Sequence, residues 1–282
     1  MEISSSFQPF FVLPVGGMLL QKLNNPAIEK IAWWALSFSW IIVIGFRHEV
    51  GCDWEPYSSI YDGVVRYIDN PDNQGLLIDR EFGYSILNWV SAKLGVGIYA
   101  VNTICGMLIV IGLSRFCRRT PQPWLAWLIA TPYLLIVVSM GYSRQGVAVG
   151  LFIWGLVYLQ DRRIWMYLLM GLLALAFHKS VLPFVLIGAV SQLRWTSVVQ
   201  LLWTSKVSVW VFASRVIVLS VIAFLVYRFG WSQLGAILKY SQVTSLGGIF
   251  RALFGVIPAI VFLGIVISRR FEGRHNPVWK WF

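Results

Sequence analysis

The chain has 282 residues, 58% of them hydrophobic and only 12% charged, with a mean hydropathy of +0.71. A soluble domain of this length cannot hide so much apolar surface, because exposed area shrinks too slowly with size, so an ordinary soluble enzyme is excluded. The formal charge of +11 would suit a nucleic-acid binder, but in so apolar a chain a Lys and Arg surplus is what cytoplasmic loops of a membrane protein carry, and no nucleic-acid partner is expected.

In chain order, apolar runs fall at 7–20, 31–46, 96–114, 124–140, 145–159, 165–177, 181–190, 207–227 and 252–268. Most approach the ~20 residues that cross ~30 Å of hydrocarbon as a helix. The first contains Pro9 and Pro14 and is expected to be kinked or partly spanning; the seventh is short. Stretches such as 217–226 are apolar on every side, without the alternation of a barrel strand. The predicted fold is therefore all-α: a polytopic transmembrane helix bundle of eight to ten spans, one integral membrane domain over 1–282. Residues 1–6 are acidic rather than basic and no small-residue cleavage site follows, so no cleavable leader is expected.

The loops orient the bundle. Basic clusters occur at Lys22/Lys30, Arg115/Arg118/Arg119, Arg162/Arg163, Arg194/Lys206 and Arg269/Arg270/Arg274/Lys280. With these spans all five share one face, predicted to be cytoplasmic. The opposite face receives an outer loop, 47–95, holding eight of the twelve acidic residues. Within it, 57–68 places Ile60, Val64, Val65 and Ile68 at helical spacing, and 84–94 is a second amphipathic stretch. Both are predicted to lie along the interface, in a loop of a length that is usually functional. Of fifteen tryptophans, Trp124, Trp165, Trp195 and Trp231 are expected as interfacial anchors. The three cysteines make no disulfide framework: Cys52 falls in the outer loop, Cys105 in a span and Cys117 in a basic loop.

Arg47, Arg144, His178, Arg228 and Arg251 sit at outer span ends. Snorkelling of long side chains is the plain alternative for each arginine, and Arg228 is read that way. Arg47, Arg144 and Arg251 together, on the face that the positive-inside bias should deplete, point to an anionic ligand. The planar guanidinium fork pairs two phosphate oxygens at once, which lysine cannot do. His178, with an ordinary pKa near ~6.5, suits proton transfer. Asp53 and Glu81 are rival bases, or simple salt-bridge partners of Arg47 and Arg80. Asp53 and Glu55, two residues apart, offer a divalent cation a minor alternative site; otherwise no metal and no cofactor is expected. The chain contains no P-loop, Rossmann fingerprint or zincin motif.

Four segments recur in a telling order: Arg47-His-Glu-Val-Gly-Cys-Asp-Trp-Glu-Pro-Tyr, Glu81-Phe-Gly-Tyr-Ser-Ile-Leu-Asn, Ser143-Arg144-Gln145 and Phe177-His178-Lys179-Ser180. Their order and spacing resemble the EpsG family, membrane polymerases of Wzy type that make exopolysaccharide, capsule or O-antigen. The likeness covers most of 31–180 and is looser to Arg251. Two departures are the poor first span and an expected C-terminal truncation relative to the family. The resemblance implies a GT-C-like bundle acting as a metal-independent glycosyltransferase in the bacterial inner membrane. It would polymerise polyprenyl-pyrophosphate-linked oligosaccharide repeat units at the outer face. Arg47, Arg144 and Arg251 would hold pyrophosphate, and His178 would be the first-choice base. Asp53 and Glu81 would orient acceptor sugars that touch Trp54, Tyr57 and Tyr84. Gly51 and Gly83 would serve loop geometry. Besides the lipid-linked donor and the bilayer, a chain-length regulator and a flippase are expected partners.

Two other classes stay open at this point. A flippase or transporter of lipid-linked glycans would want charges near the bilayer midplane on broken helices, where Arg215 is the one candidate. A ligase, an acyltransferase or a metal-dependent glycosyltransferase is the other.

Overall fold

Asparagine and proline set where the first long helix begins. The Asn25 side chain accepts from the Ile28 backbone N–H at 3.3 Å, and Pro26 occupies the first helical turn, where its missing N–H costs nothing. Helix α2 (Pro26–Gly45) therefore starts five residues ahead of the apolar run that predicted it. The computed structural model describes residues 8–22, 25–51, 53–70 and 81–191. The chain divides into two compact units, Met1–Trp195 and Thr196–Phe282, and the described residues belong to the first. The spans expected at 207–227 and 252–268, with Arg215, Arg228, Arg251, Trp195, Trp231 and Cys52, lie outside the described residues.

Helix α1 (Gln8–Lys22) carries Pro14 in its interior. After α2 come two helices of the outer loop, α3 (Trp54–Asp69) and α4 (Phe82–Leu94), then α5 (Gly97–Cys117). The next segment is continuous but not uniform. It runs as α6 (Pro123–Ala130), a π-helical stretch (Thr131–Val138) and a last turn α7 (Ser139–Gly141). Pro132 falls inside the π stretch. A proline cannot donate the usual bond and crowds the preceding turn, and a wider turn relieves both. The chain breaks at Tyr142 and resumes as α8 (Ser143–Gln160), α9 (Ile164–Phe177), a single 3-10 turn (Lys179–Val181) and α10 (Leu182–Ser191). Among the described residues there is no strand, and the protein is all-α.

Three segments, Pro26–Gly45, Gly97–Cys117 and Pro123–Gly141, are long and apolar enough to cross a membrane. Shorter apolar helices include Ile164–Phe177, which at 1.5 Å per residue reaches only ~21 Å. Large apolar side chains such as Ile31, Phe38, Trp165 and Leu172 stay more than half exposed, as they should where the surrounding solvent is lipid. This is a membrane protein.

The interior is built by close helix approach. A methyl group on Gly150 of α8 would stand 2.7 Å from Cα of Ile109 on α5, and one on Gly112 would stand 2.8 Å from the Gly150 carbonyl carbon. Small residues at the crossing let backbones meet, the usual way helices gain contact in lipid. Beside this seam sits an aromatic layer. Trp33 meets Trp124 and Trp127 edge-on, with centroids 4.9 and 5.0 Å apart. Trp124 is thus not an interfacial anchor: it is buried, and its Nε1–H donates to Glu29 Oε1 at 3.2 Å. Trp165 is exposed. Cys117 likewise closes α5 in a buried position rather than lying in a loop, and both it and Cys105 are free thiols.

The two ends of the bundle differ. At one end the α5 and α8 termini are tied by Arg119, whose guanidinium donates to both Asp161 oxygens at 2.8 and 3.0 Å. Arg118 covers the Trp33 ring at 5.1 Å and Arg115 the Trp154 ring at 4.6 Å. The opposite end carries the loop helices and the site. Helix α4 is not a free interfacial helix; it packs on α3, α5 and α9 and buries Tyr84, Asn88 and Ser91.

Candidate functional site

Three chain breaks converge on one carboxylate. Glu81 caps the start of α4, Arg144 lies in the first turn of α8, and His178 ends α9. Glu81 Oε2 pairs with Arg144 Nη1, and Glu81 Oε1 lies 3.8 Å from His178 Nε2. The side chains are 18%, 26% and 28% exposed respectively: shielded enough to strengthen the electrostatics, open enough to admit a ligand. The Arg144 guanidinium also lies 5.5 Å from the centroid of the Tyr57 ring, a cation–π contact.

Local backbone explains the convergence. His178 adopts extended dihedrals (φ −160°, ψ 125°), which stops α9. Its Nδ1 accepts from the Ser180 backbone N–H at 3.2 Å and lies 2.7 Å from Ser180 Oγ, so the ring is held on both sides of the turn. Gly83 then lets the start of α4 close onto the end of α9. A methyl group there would meet the Phe177 ring at 2.9 and 3.0 Å and the Ala176 carbonyl at 3.1 Å. The Glu–x–Gly and Phe–His–x–Ser segments are thus one contact, and Gly83 serves helix packing rather than loop geometry. Gly51 does serve loop geometry: its φ of +101° and its approach to the Met140 carbonyl leave no room for a side chain.

Arg47 reaches the same place from beneath. It is 4% exposed. Its Nη1–H donates to the Ser139 carbonyl at 2.7 Å, and Nη2–H donates to Asn102 Oδ1 at 3.4 Å and to Ser143 Oγ. The Ser139 carbonyl belongs to the last turn before the break at Tyr142, where helical acceptors lack partners, and a cation suits that negative helix end. Burial pushes the Arg47 pKa down, although the fork stays protonated. The structure therefore places Arg47 against Ser143, the residue that precedes Arg144, but in an inner layer. An open phosphate ligand, the part expected of Arg47, is not what a guanidinium committed to three protein acceptors presents. Arg251, the third expected cation, lies outside the described residues.

The acceptor-side candidates also separate. Tyr57 and Tyr84 are 2% and 1% exposed and face each other with centroids 5.3 Å apart. Burial raises both phenol pKa values. Neither offers a free ring to a sugar, so the sugar contacts expected of them are corrected to packing between α3 and α4. Trp54 differs. It lines an open cavity of about 760 Å³ with Glu49, Gly51, Glu55, Ser58 and Ser59. Asp53 caps α3 beside it without a side-chain cap bond.

Several residues here escaped the sequence reading. His48 Nδ1 lies 2.8 Å from the Tyr99 hydroxyl, and its ring meets Trp54 edge-on at 5.4 Å. Asn102 and Ser139 hold Arg47. A polar Asn within an apolar span is itself a signal, and Asn102 was legible on that ground. Among the described residues no group of three or more His, Cys, Asp or Glu is placed to hold a metal ion. Burial depresses the His178 pKa, with Glu81 pulling the other way and Arg144 and Lys179 adding to the fall.

The described residues form a helical membrane bundle with a shielded arginine–carboxylate–histidine cluster at one end. The sequence profile of the EpsG family matches residues 30–281. The chain belongs to the EpsG family, and with it to the membrane proteins of polysaccharide biosynthesis. No curated protein and no solved structure is significantly similar to it.

Proposed function

We propose that the protein is a glycosyltransferase polymerising polyprenyl-pyrophosphate-linked oligosaccharide repeat units at the outer face of a bacterial inner membrane. One observation carries this beyond family membership: Arg144, Glu81 and His178, from three separate segments, meet at the end of the bundle opposite the basic residues Arg115, Arg118, Arg119, Arg162 and Arg163. If those residues face the cytoplasm, the site faces outward, where ATP is absent and a diphosphate-linked donor carries its own driving force.

Each group then has a task. Arg144 stabilises the charge that grows on the leaving diphosphate, the kind of fixed donor that dominates such reactions. The α8 N-terminus adds partial positive charge at the same point. Arg47 fixes the α7–α8 junction and so the position of Arg144. A base at the Glu81–His178 pair takes the acceptor hydroxyl proton. Trp54 and its cavity receive acceptor sugar, and Asp53 orients it. The reaction needs no metal. Exopolysaccharide, capsule and O-antigen are the product classes, and a chain-length regulator and flippase are the partners.

The test is turnover of a defined polyprenyl-pyrophosphate oligosaccharide by the purified protein in lipid nanodiscs. A ladder of products two or more units long supports the reading. Unchanged substrate with wild-type protein, or an equal ladder from Arg144→Ala, refutes it. Retained turnover in excess EDTA is expected.

A further inference from the structure

We propose that Glu81 is the proton acceptor and that His178 acts as an N–H donor to the attacking hydroxyl, its tautomer set by Ser180. The inference rests on the polymerase reading and names the base that reading leaves open.

A neutral imidazole has one donor nitrogen and one acceptor nitrogen, and the bond made by either fixes the other. A backbone N–H can only donate. The Ser180 N–H donates to His178 Nδ1 at 3.2 Å, so Nδ1 is the lone-pair nitrogen and the ring proton sits on Nε2. Ser180 Oγ, 2.7 Å away, turns its hydroxyl hydrogen to the same nitrogen. For Nε2 to act as a base, the proton would have to move to Nδ1 and point straight at a second N–H. The turn Lys179–Val181 holds that N–H in place.

Nε2–H faces Glu81 Oε1 across 3.8 Å. That is too far for a hydrogen bond, and Oε2 is already taken by Arg144. Oε1 therefore keeps a free lone pair beside a free N–H. A hydroxyl is both donor and acceptor. Lodged beside the pair, ~2.8 Å from each, it gives its hydrogen to Oε1 and accepts from Nε2–H.

The step balances. The acceptor O–H bond breaks and its proton passes to Glu81 Oε1. The oxygen's electron pair forms the new bond to the donor's anomeric carbon. The bond from that carbon to the diphosphate oxygen breaks, and its electron pair leaves on the diphosphate. As Glu81 becomes neutral, Arg144 loses one anionic partner while the leaving group supplies another. The guanidinium exchanges partners without moving far, and Glu81 later returns its proton to solvent.

His178 and Glu81 are tested in nanodiscs with the same lipid-linked oligosaccharide. His178→Gln keeps an N–H near the Nε2 position but has no basic nitrogen; His178→Ala has neither. Expected are a kcat lowered less than ~10-fold in His178→Gln, and losses on the order of 10²-fold or more in His178→Ala and Glu81→Gln, the range for a general base. His178→Gln as inactive as His178→Ala, with Glu81→Gln active, would overturn the assignment. The tautomer is read independently by ¹⁵N NMR of histidine-labelled protein, which has only His48, His178 and His275. The pair of signals missing from His178→Gln should show Nε2 protonated and Nδ1 bare; the reverse overturns the proposal even if turnover agrees. Wild-type protein without turnover would sink the polymerase reading instead, while the spectrum still decides the donor assignment.

Discussion

Gly83 of α4 rests on the ring of Phe177 of α9 with no space for even one added carbon. This contact, itself uncharged, sets the distance between Glu81 and His178, because each lies within two residues of it. Gly83→Ala should still insert and fold, but the helix start must shift. Displacement of a reacting group by an ångström costs on the order of 10²-fold, so turnover should drop by about that much with little change in thermal midpoint. Adding Phe177→Leu, which removes the ring edge, should recover part of it. Full activity in the single variant would mean that the contact does not position the site.

Arg144 should be sensitive to shape as well as charge. Arg144→Lys keeps a cation but loses the planar fork, and should restore only a small part of the ~10²–10³-fold loss expected for Arg144→Ala. The deficit should fall on kcat rather than KM, since the charge it meets grows during reaction. A lysine variant with wild-type kcat would show that a point charge suffices.

Arg47 predicts a different signature. Its removal strands the Ser139 carbonyl, the Ser143 hydroxyl and the Asn102 amide in the interior, each unsatisfied group costing about 1–3 kcal/mol. Arg47→Ala should therefore lower the thermal midpoint in detergent along with activity, and Arg47→Lys should not restore either. Activity lost at unchanged stability would return Arg47 to the substrate.

His178 gives a pH dependence with a defined sign. Burial lowers its pKa in the folded protein, so between that value and the ordinary ~6.5 the unfolded chain binds more protons than the folded one. Stability from His178 is complete above the ordinary value and is lost as pH falls through this window. Thermal midpoints of wild type and His178→Gln should converge as pH drops from 7.5 to 5. A gap that widens on acidification would contradict the buried neutral ring.

Much of this architecture was legible in the residues. Apolar run length predicted the helices 96–114 and 124–140 to within three residues of Gly97–Cys117 and Pro123–Gly141. Arg144 and His178 stood out because they sit at outer span ends, and Glu81 because it opens the Glu–x–Gly segment of the outer loop. What failed was depth. Trp124 at an interface and Trp124 in a core look alike in sequence, since both sit at a span end beside a proline. Tyr57 and Tyr84 read as sugar platforms until α3 and α4 closed ring on ring. Arg47 read as open because snorkelling, ligand binding and helix-end capping all place an arginine at the same point along the chain. Only the break at Tyr142 decides among them, and nothing in the apolar pattern announces it.

The Pro132 stretch has a consequence for tolerance to deletion. In an ordinary helix each residue turns the chain by about 100°, whereas the wide turns from Thr131 to Val138 absorb an extra residue. Losing one amino acid there would tighten the coil to its usual pitch while leaving the helices on either side close to their present phase, so the Ser139 carbonyl would still face the Arg47 fork. The span would still cross the bilayer and its greasy surface would be almost unaltered. A second deletion, which no wide turn is left to absorb, would swing that carbonyl by about 100°, so this one segment tolerates a single loss that its neighbours would not.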